Sequence, residues 1–322
     1  MAEEHIFAWG TTRRFNDYST YIRQKFGGRV QKISVNVGLS CPNRDGTKGR
    51  GGCIYCDNTT FTPAYCNAAD SIAVQLQKGR EFFSHKYPDM RYIAYFQSYT
   101  NTYAPVETLE PLYREAVANG IAGLIIGTRP DCITPDLLAM LERINQIVPV
   151  SIELGIETTN NQTLELINRH HTWQDTVAAA QLCAEHGIET GGHLILGLPG
   201  ESETDFLEHA RRLSALPLKT LKLHQLQIIA STPLAEMWRQ NPDFVRLFTL
   251  DEYLKTVVRF LEHLSPDIVV ERFVSVSPTD KLIAPRWNRM KNFEVVALID
   301  KELEQRNTWQ GRLFNEKLKI EN

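Results

Sequence analysis

Three cysteines in one glycine-rich loop are the residues whose types and spacing point most clearly to chemistry. Cys41, Cys53 and Cys56 follow the pattern Cys-x11-Cys-x2-Cys. Three thiolates suit an iron–sulfur cluster in which one iron keeps an open position. A structural zinc site normally takes four ligands, and Cys66 would then be the fourth. The spacing by itself leaves both metals open.

Three further side chains are candidates for catalysis because they lie in or just after predicted strands. Cys132 follows a strand end, where a thiol could act as a donor or a radical partner. Glu153 shares a strand face with Glu157, because alternate residues of a strand point to the same side. His224 lies within a strand. Each also has a simpler structural interpretation, since free cysteines are commonly buried and strand histidines are commonly hydrogen-bonded.

The sequence alternates between strand-like and helix-like runs, and these elements must position the side chains. The strand-like runs are apolar almost throughout, which is typical of a parallel sheet covered on both faces. Functional residues of such folds collect after the carboxyl ends of the strands. We therefore predict an α/β fold, a partial (β/α)6 TIM-like barrel with a C-terminal extension; a doubly wound open sheet is the alternative. The predicted strands cover residues 33–39, 92–97, 123–128, 150–157, 190–196 and 221–229.

The alternation of strand-like and helix-like runs divides the chain into three predicted parts. Residues 1–32 are predicted as an N-terminal arm with a short helix, and residues 33–232 as the partial barrel. Residues 233–322 are predicted as an α/β extension that covers the barrel. Within this extension, residues 268–274 read as a strand and residues 282–289 as a loop.

The composition predicts a soluble protein of the cytoplasm. The chain has 322 residues, of which 43% are hydrophobic and 23% are charged. Its apolar runs are shorter than the ~20 residues of a membrane span, and its first residues lack the basic and apolar regions of a signal peptide. Because thiols stay reduced in the cytoplasm, clustered cysteines indicate metal or redox chemistry rather than disulfides.

Positive charge is concentrated in and before the cysteine loop. Residues 11–50 contain nine Lys or Arg against two Asp, a local charge of +7, so the rest of the chain carries −10 within the net charge of −3. Such a segment can attract phosphate or nucleic acid. A solvated basic arm is the alternative interpretation.

Four motifs stand at or near predicted strand ends. They are Cys-Pro-Asn-Arg-Asp-Gly-Thr at 41–47, Gly-Thr-Arg-Pro-Asp-Cys at 127–132, Gly-Leu-Pro-Gly-Glu at 197–201 and Lys-Leu-His at 222–224. Together they resemble the radical S-adenosylmethionine (SAM) superfamily, and within it the bacterial YhcC/YtqA-like subgroup. The second motif and the long gap between the first two cysteines are also similar to those of the Elongator catalytic subunit and its relatives.

The resemblance implies a [4Fe–4S] cluster with three irons bound by Cys41, Cys53 and Cys56, and SAM chelating the fourth iron. The segment after the second strand takes the place of the glycine-rich loop of the superfamily but lacks its glycines. The residues implied to contact SAM are Tyr55 and the backbone of Ile195 and Gly197 at the adenine, Gln97 and Thr100 at the methionine amino group, Glu157 at the ribose, and Arg169 at the methionine carboxylate.

The resemblance also implies the reaction. One electron, from a donor such as flavodoxin or ferredoxin, cleaves SAM to methionine and a 5′-deoxyadenosyl radical. The substrate predicted from the Elongator-like motifs and the basic segment is tRNA, at a wobble-uridine side chain. A small metabolite such as a porphyrin precursor is the alternative within the superfamily. A zinc-stabilised, non-catalytic binding module using Cys66 is the alternative outside it, and no membrane partner is expected.

Overall fold

The computed structural model describes residues 5–60, 62–84 and 90–315. Its strands are β1 (Val30–Val35), β2 (Arg91–Phe96), β3 (Gly123–Thr128), β4 (Val150–Glu157), β5 (Glu189–Leu196), β6 (Leu218–Gln225), β7 (Ile228–Ile229), β8 (Val269–Arg272) and β9 (Leu282–Ala284). One sheet has the order β1-β2-β3-β4-β5-β6-β8. The pairs β1–β2, β2–β3, β3–β4 and β6–β8 are parallel, and the predicted α/β class is confirmed.

Helices alternate with the strands along the chain. They are α1 (Tyr18–Phe26), α2 (Ile72–Ser84), α3 (Val106–Ala118), α4 (Pro135–Asn145), α5 (Asn161–Leu166), α6 (Trp173–Glu185), α7 (Glu203–Ser214), α8 (Pro233–Gln240), α9 (Leu250–His263) and α10 (Asn292–Gln305). Side-chain hydrogen bonds stabilise the starts of α2 and α7. The Ser71 hydroxyl accepts from the Val74 N–H at 3.3 Å, and the Asp205 carboxylate accepts from the Ser202 N–H and hydroxyl at 2.8 and 2.7 Å.

The first strand begins three residues earlier than predicted, at Val30, and ends four residues earlier, at Val35. The reason is a side chain from α2. The Gln75 amide accepts from the Asn36 N–H at 2.9 Å and donates to the Asn36 carbonyl at 2.8 Å. Because both backbone groups of Asn36 are used by Gln75, the chain leaves the strand ladder there and enters the cysteine loop.

The predicted sixth strand, 221–229, is two strands, and the predicted loop 282–289 contains a strand. β6 ends at Gln225, and β7 pairs antiparallel with β9 in a separate two-stranded sheet. Side-chain amides explain the break. Gln225 and Gln227 both donate to the Ser275 carbonyl at 3.1 Å, which draws this segment toward the residues after β8.

A seventh strand joins the sheet. The predicted strand at 268–274 is found as β8, which lies parallel to β6. The register between them shifts between Leu221 and Lys222, so that Lys222 lies opposite Arg272 and Glu271 is the extra residue. Such bulges re-aim side chains, and here both Glu271 and Arg272 contact polar groups of β6.

Contacts divide the chain into two compact units. Unit 1 comprises Met1–Tyr21, Glu157–Ile167 and Gly192–Asn322, and unit 2 comprises Ile22–Ile156 and Asn168–Gly191. The core of unit 2 includes the edge-to-face pair Phe96 and Tyr113, with ring centroids 5.1 Å apart. Within the described ranges, no helix is both long and apolar enough to cross a membrane.

Candidate metal centre and active site

The cysteine loop of unit 2 folds back on itself through backbone hydrogen bonds. The Gly52 N–H donates to the Asn43 carbonyl at 2.9 Å, and the Lys48 N–H donates to the Pro42 carbonyl at 2.9 Å. These bonds close the long gap between the first two cysteines. Cys41 and Cys53 are 8% and 4% exposed, while Cys56 is half-buried.

Gly49 lets two parts of unit 2 meet at this loop. A Cβ at this position would lie 2.2 Å from Asn43 Oδ1 and 2.5 Å from His170 Cδ2. Only a residue without a side chain allows this approach. The residues after α5 therefore pack directly against the cysteine loop.

The Cys53 sulfur accepts hydrogen bonds from two side chains. Asn43 Nδ2 lies 3.5 Å from Cys53 Sγ, and Arg169 Nη1 lies 3.6 Å from it. Both distances are within the range of N–H donation to sulfur. A ligating thiolate keeps lone pairs that can accept such bonds, so this arrangement fits a metal-bound Cys53.

The segment after β3 attaches to the same loop by an ion-pair network. Asp131 accepts from Arg129 Nε at 2.8 Å and from Lys48 Nζ at 2.6 Å. Arg129 and Asp131 are each 2% exposed in their side chains. Burial alone would raise the pKa of Asp131, but the hydrogen bonds and charge of Arg129, followed by those of Lys48, lower it to about 2. Asp131 is therefore ionised at neutral pH.

Cys132 lies next in sequence to this network and is buried. Burial, followed by the neighbouring charge of Asp131, raises the pKa of the Cys132 thiol to about 12. Its backbone carbonyl accepts from the Thr102 hydroxyl at 2.7 Å. At neutral pH the group is a protonated thiol, which can hold a hydrogen atom but is a poor nucleophile.

The segment after β2, which lacks the glycines of the superfamily, contains an asparagine that ties two strand ends together. The Asn101 amide donates to the carbonyls of Phe96 and Gly127 at 2.9 and 3.0 Å, tying the ends of β2 and β3 together. The Thr100 N–H donates to the Ser40 carbonyl at 3.3 Å, immediately before the cysteine loop. Gln97 Oε1 accepts from the Ser34 hydroxyl at 3.4 Å.

Glu153 of β4 forms a largely buried ion pair in unit 2. Its Oε1 lies 3.2 Å from Lys32 Nζ, and the two side chains are 4% and 18% exposed. Lys32 Nζ also lies 5.2 Å from the Tyr95 ring centroid, a cation–π contact. The glutamate is thus held in place by the Lys32 ammonium group.

In unit 1, the residues that end β4 and β5 are strained or crowded. Glu157 has φ 67°, a left-handed conformation that is rare for a glutamate. Gly197 has φ 91°, and a Cβ there would lie 2.8 Å from the Phe248 ring. Ile195 is buried. Strain of this kind persists where surrounding structure imposes it and clusters at functional sites.

A buried network supports these two strand ends in unit 1. His209 Nε2 lies 3.2 Å from Glu201 Oε1, and His209 Nδ1 lies 2.8 Å from the Thr159 hydroxyl. Thr158 donates from its hydroxyl to the same glutamate. The network joins the Gly-Leu-Pro-Gly-Glu turn after β5 to the two residues that follow Glu157.

A second polar cluster of unit 1 lies on β5, β6 and β8. The Arg272 guanidinium donates to His224 Nε2 at 2.9 Å, so that His224 is an acceptor there. The rings of His193 and His224 have centroids 5.5 Å apart. Lys222 Nζ lies 3.2 Å from Glu271 Oε1. This face is polar and partly buried, which suits a substrate with hydrogen-bonding groups.

The predicted site residues are distributed over both units. Unit 2 holds Cys41, Cys53, Cys56, Tyr55, Gln97, Thr100, Cys132, Glu153 and Arg169, and unit 1 holds Glu157, Ile195, Gly197 and His224. The sequence did not single out the partners that fix them. These partners are Asn43, Arg129, Asp131, Lys48, His171, Glu201 and His209. Most of these partners lie inside the quoted motifs. Their place in those motifs is the sequence feature that could have identified them.

Within the described ranges, no three His, Cys, Asp or Glu side chains converge as they would around one metal ion. A [4Fe–4S] cluster does not require such convergence, because each thiolate binds a different iron at a separate corner. Two buried cysteines, a half-buried third and N–H donors on one sulfur fit that cluster.

The chain matches two family models. Residues 36–213 match the Radical SAM superfamily, and residues 218–305 match the Radical_SAM C-terminal domain. The first match alone covers more than half of the chain.

Curated relatives cover most of the chain. It is 32% identical to the uncharacterized protein YtqA of Bacillus subtilis, over 98% of this chain and 97% of that protein. It is 34% identical to protein YhcC of Escherichia coli K12, over 84% and 87%. A tRNA uridine(34) acetyltransferase of Methanocaldococcus jannaschii is 33% identical over 39% of this chain and 24% of its own length.

A solved structure shows the same fold. The archaeal Methanocaldococcus infernus Elp3 aligns with a TM-score of 0.66 at 17% identity, covering 87% of this chain and 64% of that chain. At this identity the likeness concerns the fold, and it confirms the predicted partial barrel of the radical SAM type.

Proposed function

Because the chain belongs to the radical SAM superfamily and to its YhcC/YtqA-like subgroup, we propose that it is a tRNA-modifying enzyme acting on a wobble-uridine side chain. Radical SAM enzymes use a [4Fe–4S] cluster and SAM, and they need an electron donor. When bound, these groups supply a carbon-centred radical that removes a hydrogen atom from the substrate. The protein supplies binding, orientation and the exclusion of water.

The observation that carries the RNA proposal is the two-sided cysteine loop. Cys41, Pro42 and Asn43 are buried, whereas Arg44, Lys48 and Arg50 are exposed. The loop that would hold the cluster therefore presents cations to solvent, where phosphates can reach them. The relationship to a tRNA uridine(34) acetyltransferase supports the same substrate class.

Fewer cations of the basic segment are available to RNA than its charge of +7 suggests. Several of its cations form internal ion pairs: Arg13 with Asp17 and Asp300, Lys25 with Glu189, Lys32 with Glu153, and Lys48 with Asp131. Arg44 stacks over the Tyr99 ring at 5.6 Å, and Tyr99 is exposed. An arginine and an aromatic ring together make a suitable platform for an unpaired base. The proposed RNA contact is therefore centred on Arg44 and Tyr99.

The roles of the site residues belong to the same proposal. Cys41, Cys53 and Cys56 hold the cluster. Tyr55, Gln97, Thr100, Glu157, Arg169, Ile195 and Gly197 bind SAM in the roles given by the resemblance. Cys132, as a protonated thiol, returns a hydrogen atom to the substrate radical. Glu153 and His224 are the other two catalytic residues of the proposal. Flavodoxin or ferredoxin in the cytoplasm supplies the electron.

The zinc alternative is not favoured by the surroundings of Cys66. Its sulfur donates to Gln75 Oε1 at 3.4 Å, and burial raises the pKa of the Cys66 thiol to about 11. A zinc ligand must be a thiolate, so zinc binding by Cys66 would remove the hydrogen bond that its sulfur donates to Gln75. Cys66 therefore serves the Gln75–Asn36 bonds that end β1.

The test is nucleoside mass spectrometry of tRNA from a strain that lacks the gene. We expect loss of one modified uridine at the wobble position. A copy with Cys53→Ala should fail to restore it, whereas a wild-type copy should restore it. An unchanged nucleoside profile would contradict the RNA proposal and favour a small metabolite such as a porphyrin precursor.

A further inference from the structure

We propose that Asn43 and Arg169 set the reduction potential of the cluster by donating N–H groups to the Cys53 thiolate, with His171 and the Gly155 carbonyl positioning Arg169. This inference concerns the cluster and holds for any substrate. It gives Arg169 a role that its motif position does not indicate.

The Arg169 guanidinium uses each of its three nitrogens. Nη1 donates to Cys53 Sγ at 3.6 Å, Nη2 donates to the Gly155 carbonyl at 2.7 Å, and Nε donates to His171 Nε2 at 3.0 Å. The side chain is 7% exposed. The guanidinium group is planar, and the Gly155 carbonyl and His171 hold two of its nitrogens. The third nitrogen, Nη1, therefore points in a defined direction toward Cys53 Sγ.

The imidazole of His171 is held as an acceptor for Arg169. Its Nδ1 lies 3.2 Å from the Thr172 carbonyl, and a carbonyl oxygen can only accept, so the ring proton lies on Nδ1. Nε2 is then a lone pair facing the Arg169 Nε–H. Burial, followed by the charge of Arg169, lowers the pKa of His171 to about 3, which agrees with the neutral ring required by this geometry.

Asn43 supplies the second donor, and its amide orientation is fixed by two acceptors. Nδ2 lies 3.5 Å from Cys53 Sγ and 2.5 Å from the Asn168 carbonyl. A flipped amide would place its oxygen against both acceptors. Asn168 is itself held, because its amide donates to the Gly52 carbonyl at 2.8 Å. The donor therefore belongs to a network around Cys53 rather than to a mobile surface group.

N–H bonds to a cluster thiolate favour the reduced state. They withdraw electron density from the sulfur, and the reduced cluster carries one more negative charge, so the donors stabilise it more than the oxidised cluster. The positive charge of Arg169 acts in the same direction in a buried setting. Removal of either donor should shift the midpoint potential to a more negative value.

The experiment is a redox titration of the anaerobically purified holoenzyme without SAM, followed by electron paramagnetic resonance. Asn43→Ala and Arg169→Met should each shift the midpoint potential in the negative direction. Arg169→Lys, which keeps the charge but loses the planar fork, should shift it less than Arg169→Met. Arg239→Gln is the control for loss of an arginine, because Arg239 lies at an exposed position of α8 outside the proposed site, and the potential of this variant should equal that of the wild type. Unchanged potentials in variants with full iron content would overturn the inference.

If the variants lose the cluster, the inference can still be tested on the wild-type protein. The holoenzyme is prepared with ¹⁵N-arginine or with ¹⁵N-asparagine, reduced, and studied by pulsed electron paramagnetic resonance. Each label should give a ¹⁵N hyperfine coupling to the cluster, as expected for N–H donation to a ligating sulfur. The absence of both couplings would overturn the inference. Neither experiment includes RNA. A negative result would therefore contradict the inference about the cluster without bearing on the tRNA proposal.

Discussion

At the scale of single residues, the cysteine loop owes its shape to Asn43 and Gly49. The Asn43 backbone carbonyl closes the loop and its side chain reaches Cys53. Gly49 leaves the room that this side chain occupies. The cysteines supply the ligands, but these two uncharged residues determine where Cys53 lies relative to its donors.

Gly49→Ala should therefore impair the metal centre. The new methyl group would overlap Asn43 Oδ1 and the His170 ring, and overpacking of this kind costs about 1–3 kcal/mol. We expect less iron and acid-labile sulfide per chain after anaerobic reconstitution. Gly28→Ala is the control, because a Cβ there meets nothing within 4 Å. Equal iron content in the two variants would contradict the prediction.

Asp131→Asn should lower stability at neutral pH by roughly 3 kcal/mol, because it leaves Arg129 buried without its carboxylate partner. The pKa of Asp131 is about 2 in the folded chain against an ordinary 3.8. A lowered folded pKa gives stability that is present above about pH 4 and is lost as the pH falls toward 2.

Urea unfolding of the metal-free protein between pH 7 and pH 2 measures this effect. The difference in free energy of unfolding between wild type and Asp131→Asn should narrow below about pH 4. Asp251→Asn offers a control at an exposed carboxylate. A constant difference across the pH range would show that Asp131 titrates normally.

At the scale of elements, strand ends rather than strands carry the chemistry, and side chains decide where the strands end. Gln75 ends β1 by binding Asn36, and Gln225 and Gln227 end β6 by binding the Ser275 carbonyl. The end of β5 depends on Gly197, whose positive φ and contact with Phe248 exclude a side chain.

Gly197→Ala should destabilise the protein more than Gly187→Ala. Both glycines have positive φ, 91° and 63°, so both variants incur backbone strain of about 1 kcal/mol. Only at position 197 does the new Cβ meet another group, the Phe248 ring at 2.8 Å. The extra cost should be roughly 1–3 kcal/mol, measured as the difference in free energy of unfolding in urea. If the two variants lost the same free energy of unfolding, the Phe248 ring would have to move away from the new methyl group without cost.

At the scale of the whole molecule, the charge distribution differs from what the sequence totals suggest. The segment 11–50 carries +7, yet Arg13, Lys25, Lys32 and Lys48 are in ion pairs within their own units. Of the exposed cations of this segment, Arg44 and Arg50 are the two that lie in the cysteine loop outside these ion pairs.

Arg44→Ala and Arg50→Ala should each weaken tRNA binding and reduce its salt dependence. Each phosphate contact contributes about one unit to the slope of log K against log salt concentration. Filter binding across a salt series measures the slope. Arg239→Ala, an equal change of charge at an exposed helical site, should leave it unchanged. If all three variants keep the wild-type slope, the cysteine loop does not contact RNA.

The sequence by itself determined the alternation of strands and helices, the fold class and the three cysteines. It could do so because these features depend on local patterns: apolar runs bounded by glycine, helix caps such as Ser202 with Asp205, and the cysteine spacing. The motifs then gave the superfamily. Errors occurred at strand ends, where a distant amide such as Gln75 takes over the backbone hydrogen bonds.

Only the tertiary structure decided which side chains meet. Asn43 and Arg169 are 126 positions apart, and no local pattern indicates that both reach Cys53. Likewise, neither Lys48 nor Asp131 indicates the other in the sequence, although their ion pair joins the cysteine loop to the end of β3. Such contacts depend on the packing of whole elements, because direction and burial, rather than residue type, determine whether a donor finds its acceptor.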